Sequence, residues 1–117
     1  MNTTDRSCVI RLAEARARIP GSAGEHSASF LQRGTLNVKL ALAPPARPTQ
    51  LTAHAQDEVY VVIRGQGVLL HAGARNSFES GDILFVAAGI EHRFEDFTDD
   101  LVVWVVFYGP QGGEISA

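Results

Sequence analysis

Hydrophobic and polar residues alternate along much of the chain in the pattern typical of β-strands. The clearest case is residues 35–42, where leucine or valine occupies every second position, as in a half-buried strand. The continuous β-branched run 59–63 predicts a strand that is buried on both faces. Further strands are expected over 68–71, 83–86 and 101–108. Turn residues separate these segments at intervals of about eight to twelve residues, which is typical of β-sandwiches and barrels.

The connections between the strands have equally clear signals. Glycines at 65 and 67 predict a tight turn that joins 59–63 and 68–71 in a hairpin. Between the strand at 35–42 and the extended stretch 50–54, the chain should follow an irregular path. This expectation rests on Pro44, Pro45 and Pro48, because proline cannot take part in regular strand pairing.

The N-terminal segment differs from the rest of the chain. Residues 9–19 mix alanine and leucine with arginine and glutamate, which predicts a short helix that ends at Pro20-Gly21. A loop then contains His26, which we interpret as a surface histidine. The predicted organisation is an N-terminal segment over 1–27, a barrel over 28–110 and a loop-like tail over 111–117.

Composition narrows the class of protein. A chain of 117 residues with 45% hydrophobic and 20% charged residues is expected to form one compact domain. A net charge of -3 with scattered arginines excludes a nucleic-acid surface, and the single cysteine, Cys8, excludes an internal disulfide. The N-terminus lacks a signal-peptide core, and the longest apolar run, 101–108, is too short to span a membrane. We therefore expect a cytoplasmic protein without membrane contact.

His54 and Glu58 are candidate metal ligands at the start of the run 59–63. On one uninterrupted strand their backbones would lie about 13 Å apart, too far to share a metal. A helix would bring them together, but the β-branched run after Glu58 argues against one. The spacing therefore predicts a turn at residues 55–57.

Aromatic residues are expected beside these ligands. Tyr60 shares a strand face with Glu58, and Phe94 shares one with His92, which follows another β-run. Tyr60 and Phe94 are therefore candidate substrate-binding residues that make the site dry. Asn37 and Lys39 alternate with the apolar face of their strand, so they either face solvent or enter the mouth of the barrel.

These residues carry a resemblance to a known family. His54-x-x-x-Glu58, followed after six residues by Gly65, resembles the first motif of the cupin superfamily, and residues 81–92, ending in His92, resemble the second. The run 104–114 is similar to the end of small single-domain cupins. The resemblance implies an all-β fold, a small jelly-roll or double-stranded β-helix barrel. It also implies that His54, Glu58 and His92 bind one metal ion. The apolar strands 59–63 and 101–108 need cover on both faces, and a homodimer, which is common in this family, is expected to supply it.

The sequence departs from the family pattern at three positions. Many metal-binding cupins have a further histidine where this chain has Thr52. Ala87 and Asp96 stand where the second motif often has proline and asparagine, changes that should not alter ligation. Gln56 or Asp57 could fill the position left by Thr52, and the sequence does not decide between them.

Two functions remain compatible with the sequence. Two histidines and one glutamate suit non-haem Fe(II), with Mn, Zn or Ni as other divalent candidates. The first function is a mononuclear metalloenzyme, dioxygenase-like or isomerase-like, that acts on a small molecule. The alternative is a non-catalytic cupin that binds or senses a small ligand and has a vestigial or structural metal site.

Overall fold

The computed structural model describes residues 4–44 and 50–115, so Pro45, Pro48 and the end of the expected tail lie outside the described residues. Within these ranges the chain forms one helix, α1 (Leu12–Ala17). Eight strands follow: β1 (Ser27–Arg33), β2 (Leu36–Leu42), β3 (Asp57–Arg64), β4 (Gln66–His71), β5 (Ala74–Glu79), β6 (Ile83–Val86), β7 (His92–Glu95) and β8 (Val102–Tyr108). No helix in the described part of the chain is long and apolar enough to cross a membrane.

Two antiparallel sheets face each other across the main core. The larger sheet has the strand order β1-β2-β8-β3-β6, and the smaller has the order β5-β4-β7. Buried residues of both sheets meet between them, among them Tyr60 and Val62 of β3, Leu69 of β4, and Val103 and Val105 of β8. The predicted fold, an all-β jelly-roll barrel with a short N-terminal helix, is confirmed.

The N-terminal helix covers part of the outer face of the larger sheet. It is shorter than the expected range 9–19, because Arg11 before it is extended and Arg18 after it leaves the helical conformation. Buried Ala15 packs in one cluster with Leu40 of β2 and Val102 of β8. The regular leucine and valine positions of β2 therefore face the N-terminal segment, and the alternate positions face the barrel interior.

The prediction that residues 59–63 and 68–71 form a hairpin is wrong. β3 lies in the larger sheet, whereas β4 lies in the smaller one between β5 and β7. The backbone N–H of Gln66 donates to Oγ1 of Thr98 at 3.1 Å, and the N–H of Thr98 donates to the carbonyl of Gln66 at 2.9 Å. Because Gln66 is paired with the loop before β8, the turn at Gly65 carries the chain from one sheet to the other.

Strand β3 is buried on one face rather than on both. Its inward side chains are buried, but Val59 and Val61 on the outer face are only half-buried. The neighbouring strand β6 forms the edge of the sheet, where Ile83 is 69% and Phe85 is 52% exposed. These residues are in register with Val61 and Val59. The barrel interior covers only the inner face, so an apolar patch remains outside.

Gly65 should tolerate substitution worse than Gly81, although both have a φ of 93°. A Cβ at Gly65 would lie 2.8 Å from Leu101 Cα and from Thr98 Oγ1, whereas one at Gly81 would meet nothing within 4 Å. Gly81→Ala should therefore cost only backbone strain, about 1–2 kcal/mol. Gly65→Ala should cost about 3 kcal/mol or more, because it adds a backbone clash. Urea denaturation measures both free energies of unfolding, and equal losses would contradict this account.

Candidate metal centre

Three side chains converge from distant parts of the chain. His54 precedes a bend at Ala55 and Gln56, Glu58 is the second residue of β3, and His92 begins β7. Nε2 of His54 lies 3.9 Å and Nε2 of His92 lies 3.2 Å from Oε1 of Glu58. One ligand atom from each residue lies within 4.8 Å of the other two. The bend that the spacing predicts is therefore present, and it brings the candidate ligands together.

The Glu58 carboxylate is buried without a well-aligned partner. Its side chain is only 3% exposed, and Oε1 makes no hydrogen bond of good geometry with the described residues. Removing an ionised carboxylate from water costs several kcal/mol unless a cation or a proton compensates it. The position of Glu58 therefore favours a cation close to Oε1.

His92 presents a lone pair to this carboxylate. Its Nδ1 lies 2.9 Å from the carbonyl oxygen of Ile90, which can only accept, so we assign the ring proton to Nδ1. Nε2 of the neutral ring and Oε1 of Glu58 then face each other as two acceptors. The Tyr60 hydroxyl, 3.2 Å from Nε2, can donate to this lone pair but leaves Oε1 of Glu58 uncompensated. A metal ion or a second proton between Nε2 and Oε1 resolves the conflict. The residues present therefore fit a divalent metal, and a backbone carbonyl orients the imidazole as in many metal sites.

The surroundings of His92 also favour a proton at this place in the metal-free protein. Burial acts to lower the pKa of His92, but the adjacent Glu58 carboxylate and the hydrogen bond with the carbonyl of Ile90 outweigh burial. The pKa of His92 is consequently raised above its usual value. Because the proton and a metal would bind the same Nε2, the two compete.

The two separations measured from Glu58 suit one ion of ordinary size. Two atoms bound to a single zinc-sized ion lie no more than about 4.4 Å apart. Both distances from Glu58, 3.2 and 3.9 Å, satisfy this limit. The His54 side chain is 40% exposed and touches the Phe107 ring edge-on, with the ring centroids 5.0 Å apart. Its exposure leaves room for a small rotation towards His92.

Gln56 is engaged in holding the bend. Its Nε2 donates to the carbonyl oxygens of Thr35 at 2.8 Å and Gly109 at 3.0 Å. These bonds tie the bend to the start of β2 and the end of β8. The side chain is therefore directed away from the position left by Thr52.

Asp57 has a similar structural role. Its carboxylate accepts hydrogen bonds from the backbone N–H groups of Glu114 at 2.9 Å and Ala88 at 3.0 Å, and these bonds lower the pKa of Asp57. The C-terminal run is also held by the N–H of Gly112, which donates to the carbonyl of Ala55 at 2.7 Å. The loop expected after β8 is thus an ordered strap that supports the bend. Asp57 is not available as a ligand in this arrangement.

Thr52 lies beside His92, as a missing ligand position should. The two residues form an isolated β-bridge. The backbone N–H of Thr52 donates to the carbonyl oxygen of His92 at 3.0 Å, and the backbone N–H of His92 donates to the carbonyl oxygen of Thr52 at 2.9 Å. Directly opposed residues of an antiparallel pair project to the same face. A histidine at this position would stand next to the His92 ring. Because the residue is threonine, the described residues provide three candidate ligands here.

Tyr60 and Phe94 form an aromatic wall beside the three side chains. Their ring centroids lie 4.9 Å apart in an edge-to-face arrangement. Oη of Tyr60 lies 3.2 Å from Nε2 of His92. Burial, followed by the nearby negative charge of Glu58, raises the pKa of Tyr60 far above its usual value. Tyr60 therefore remains a neutral phenol that can donate a hydrogen bond.

The three ligands open onto an internal cavity of about 320 Å³. Lys39, whose environment the sequence does not decide, lines this cavity, and so do Ser27 and His26. His26 is exposed but stands at the cavity rather than on a remote surface, which the sequence interpretation missed. The composition of the loop that contains His26 gave no indication that this residue would lie at the cavity. The alternation of β2 could have identified Lys39 once Leu40 was known to face the helix.

Comparisons with known proteins agree with the fold. Residues 39–108 match the family model described as a cupin domain. An uncharacterized protein of Streptomyces coelicolor is 31% identical over 102 residues, which cover 87% of this chain and 96% of that protein.

Solved structures show the same fold. A cupin-2 domain protein of Shewanella frigidimarina has a TM-score of 0.67 at 15% identity, with 84% of this chain and 92% of that chain covered. A DMSP lyase of Ruegeria pomeroyi has a TM-score of 0.61 at 17% identity, with 72% of this chain and 47% of that chain covered. The match of residues 39–108 to the cupin domain and the similarity to the Streptomyces coelicolor protein show that the protein belongs to the cupin family.

Proposed function

We propose that the protein binds one divalent metal ion through His54, Glu58 and His92 and acts as a mononuclear metalloenzyme on a small molecule. The observation that carries this proposal is the buried Oε1 of Glu58, which faces the lone pair of His92 Nε2 at 3.2 Å without an aligned hydrogen bond. Two imidazoles and one carboxylate suit Fe, Mn, Zn or Ni and leave coordination positions for a substrate or water. A metal ion bound here would supply Lewis-acid chemistry, with redox chemistry in addition if it is iron.

The protein's own residues would position the substrate and exclude water. Tyr60 and Phe94 are proposed to contact the substrate, since both line the cavity beside the ligands. The raised pKa of Tyr60 keeps its hydroxyl protonated, so it would donate a hydrogen bond rather than act as a base. The apolar wall would strengthen every charge interaction at the site by lowering the local dielectric. The DMSP lyase among the structural neighbours supports the idea that this barrel can hold an active site.

The second candidate is a non-catalytic protein that binds or senses a small ligand. It is favoured by one observation: Glu58 is the only carboxylate among the described residues that line the cavity. A general base would then have to come from His26 or from a metal ligand. Oxygen uptake and substrate loss across a panel of small molecules distinguish an enzyme from a sensor.

Metal binding should stabilise the protein and depend on the three ligands. At a metal concentration about one hundred times Kd, the stabilisation should be about 2.7 kcal/mol. Thermal unfolding of chelator-treated protein with added Zn²⁺ or Mn²⁺ measures this effect. His92→Ala and Glu58→Gln should remove it.

His71→Ala is the matched control, because His71 lies opposite His92 in the strand pairing but is paired with Asn76 at 2.7 Å. It should retain the metal-induced shift. The proposal would be contradicted if wild type showed no shift, or if the shift survived both ligand substitutions.

Metal affinity should fall as the pH is lowered. The pKa of His92 is raised in the metal-free protein, so its proton persists to a higher pH than on a free imidazole. The proton stabilises the metal-free fold below the unfolded pKa, and this stabilisation disappears as the pH rises through the folded pKa. Metal affinity should therefore increase across the same interval and level off above it. Calorimetric titrations from pH 5 to pH 8.5 check this trend, and a pH-independent affinity would contradict it.

The protein is also proposed to be a homodimer that covers the outer patch formed by Val59, Val61, Ile83 and Phe85. Phe85→Asp should then yield monomers at micromolar concentration, because it places a charge in the centre of the apolar contact. Val9→Asp is the control, since Val9 is 76% exposed outside this patch. Equilibrium sedimentation gives the masses. A monomeric wild type would overturn this part of the proposal.

A further inference from the structure

Lys39 is the only lysine in the chain, which also contains nine arginines. It is half-buried on β2 and lines the internal cavity. No described carboxylate lies within ion-pair distance of its ammonium group. The one lysine therefore stands in the cavity without a counter-ion from the described residues.

Strand register places Lys39 on the same wall of the cavity as Glu58, two strands away in the larger sheet. Lys39 is in register with Val105 of β8, and Val105 is in register with Tyr60 of β3. Adjacent strands are about 4.8 Å apart, so the backbones of Lys39 and Tyr60 are separated by about 10 Å. Glu58 lies two residues from Tyr60 on the same inward face. The cavity thus has two polar ends, Lys39 and the metal ligands, with apolar side chains between them.

The polar groups around Lys39 are suited to an anion. Ser27, which also lines the cavity, is in register with Ala41, the next inward residue of β2 after Lys39. Its hydroxyl can donate a hydrogen bond, as the ammonium does. The only carboxylate in the described lining is Glu58, which is already engaged with His92. The ammonium of this half-buried residue can pair with a bound anion.

We propose that the cavity binds a small organic monocarboxylate whose carboxylate pairs with Lys39 and whose apolar body lies between Lys39 and the metal ligands. This inference rests on the proposed function, because the far end of the ligand would face His54, Glu58 and His92. A carboxylate is favoured over a phosphate because no arginine lines the described cavity and one ammonium balances one charge. A cavity of about 320 Å³ lies at the small end of the usual range, which suits a compact ligand.

Lys39 can be observed directly because it is unique. Reductive methylation with ¹³C-formaldehyde retains the charge and labels one side chain in addition to the N-terminal amine. The Lys39→Met variant identifies which resonance belongs to Lys39. In chelator-treated protein, benzoate should shift the Lys39 resonance in a saturable manner, and the neutral isostere benzamide should not.

Calorimetry on unlabelled, chelator-treated protein tests the contribution of the charge. Wild type should bind benzoate about tenfold or more tightly than benzamide, and Lys39→Met should abolish that preference. Lys39→Arg should retain part of it, and Arg64→Met, which removes an exposed charge at the end of β3, should leave it unchanged. Circular dichroism confirms that each variant is folded.

The results separate this inference from the proposed function. Because the titrations contain no metal, a Lys39-dependent preference for benzoate supports the inference even if metal binding fails in its own test. Equal binding of benzoate and benzamide, no binding of either at millimolar concentration, or full retention of the preference in Lys39→Met would each overturn it.

Discussion

The contact between the Glu58 carboxylate and the His92 imidazole is the constraint on which the rest of the site depends. A carboxylate this deeply buried is unfavourable unless a positive charge compensates it. The pairing joins β3 of the larger sheet to β7 of the smaller sheet beside the cavity. Either a proton on His92 or a metal shared with His54 satisfies it, so the protonation and metal-binding states of the site are coupled.

The surrounding backbone is organised to keep this contact in place. Gln56 and Asp57, which the sequence left as possible ligands, instead fasten the bend that brings His54 to Glu58. The strap near Glu114 closes over the same bend from the C-terminal side. Polar residues next to the candidate ligands are thus used for positioning, and the set of candidate ligands stays at three.

The sequence predicted the strands, the bend and the convergence of His54 with Glu58 because these follow from local patterns and bond lengths. The prediction failed at Gly65. The glycine there is typical of a hairpin turn, but the chain continues from one sheet into the other, because Gln66 pairs with Thr98, which is distant in the sequence. The sequence also left Lys39 undecided. Alternation shows that two faces of β2 differ, but only the packing of Leu40 under the helix shows which face is inside.

The central claim is that His54, Glu58 and His92 hold one metal ion, and metal content measures it most directly. Elemental analysis of natively purified wild type should find about one divalent transition-metal ion per chain, and a folded His92→Ala variant should contain far less. Wild type without stoichiometric metal, together with an undiminished stability of His92→Ala, would contradict the account.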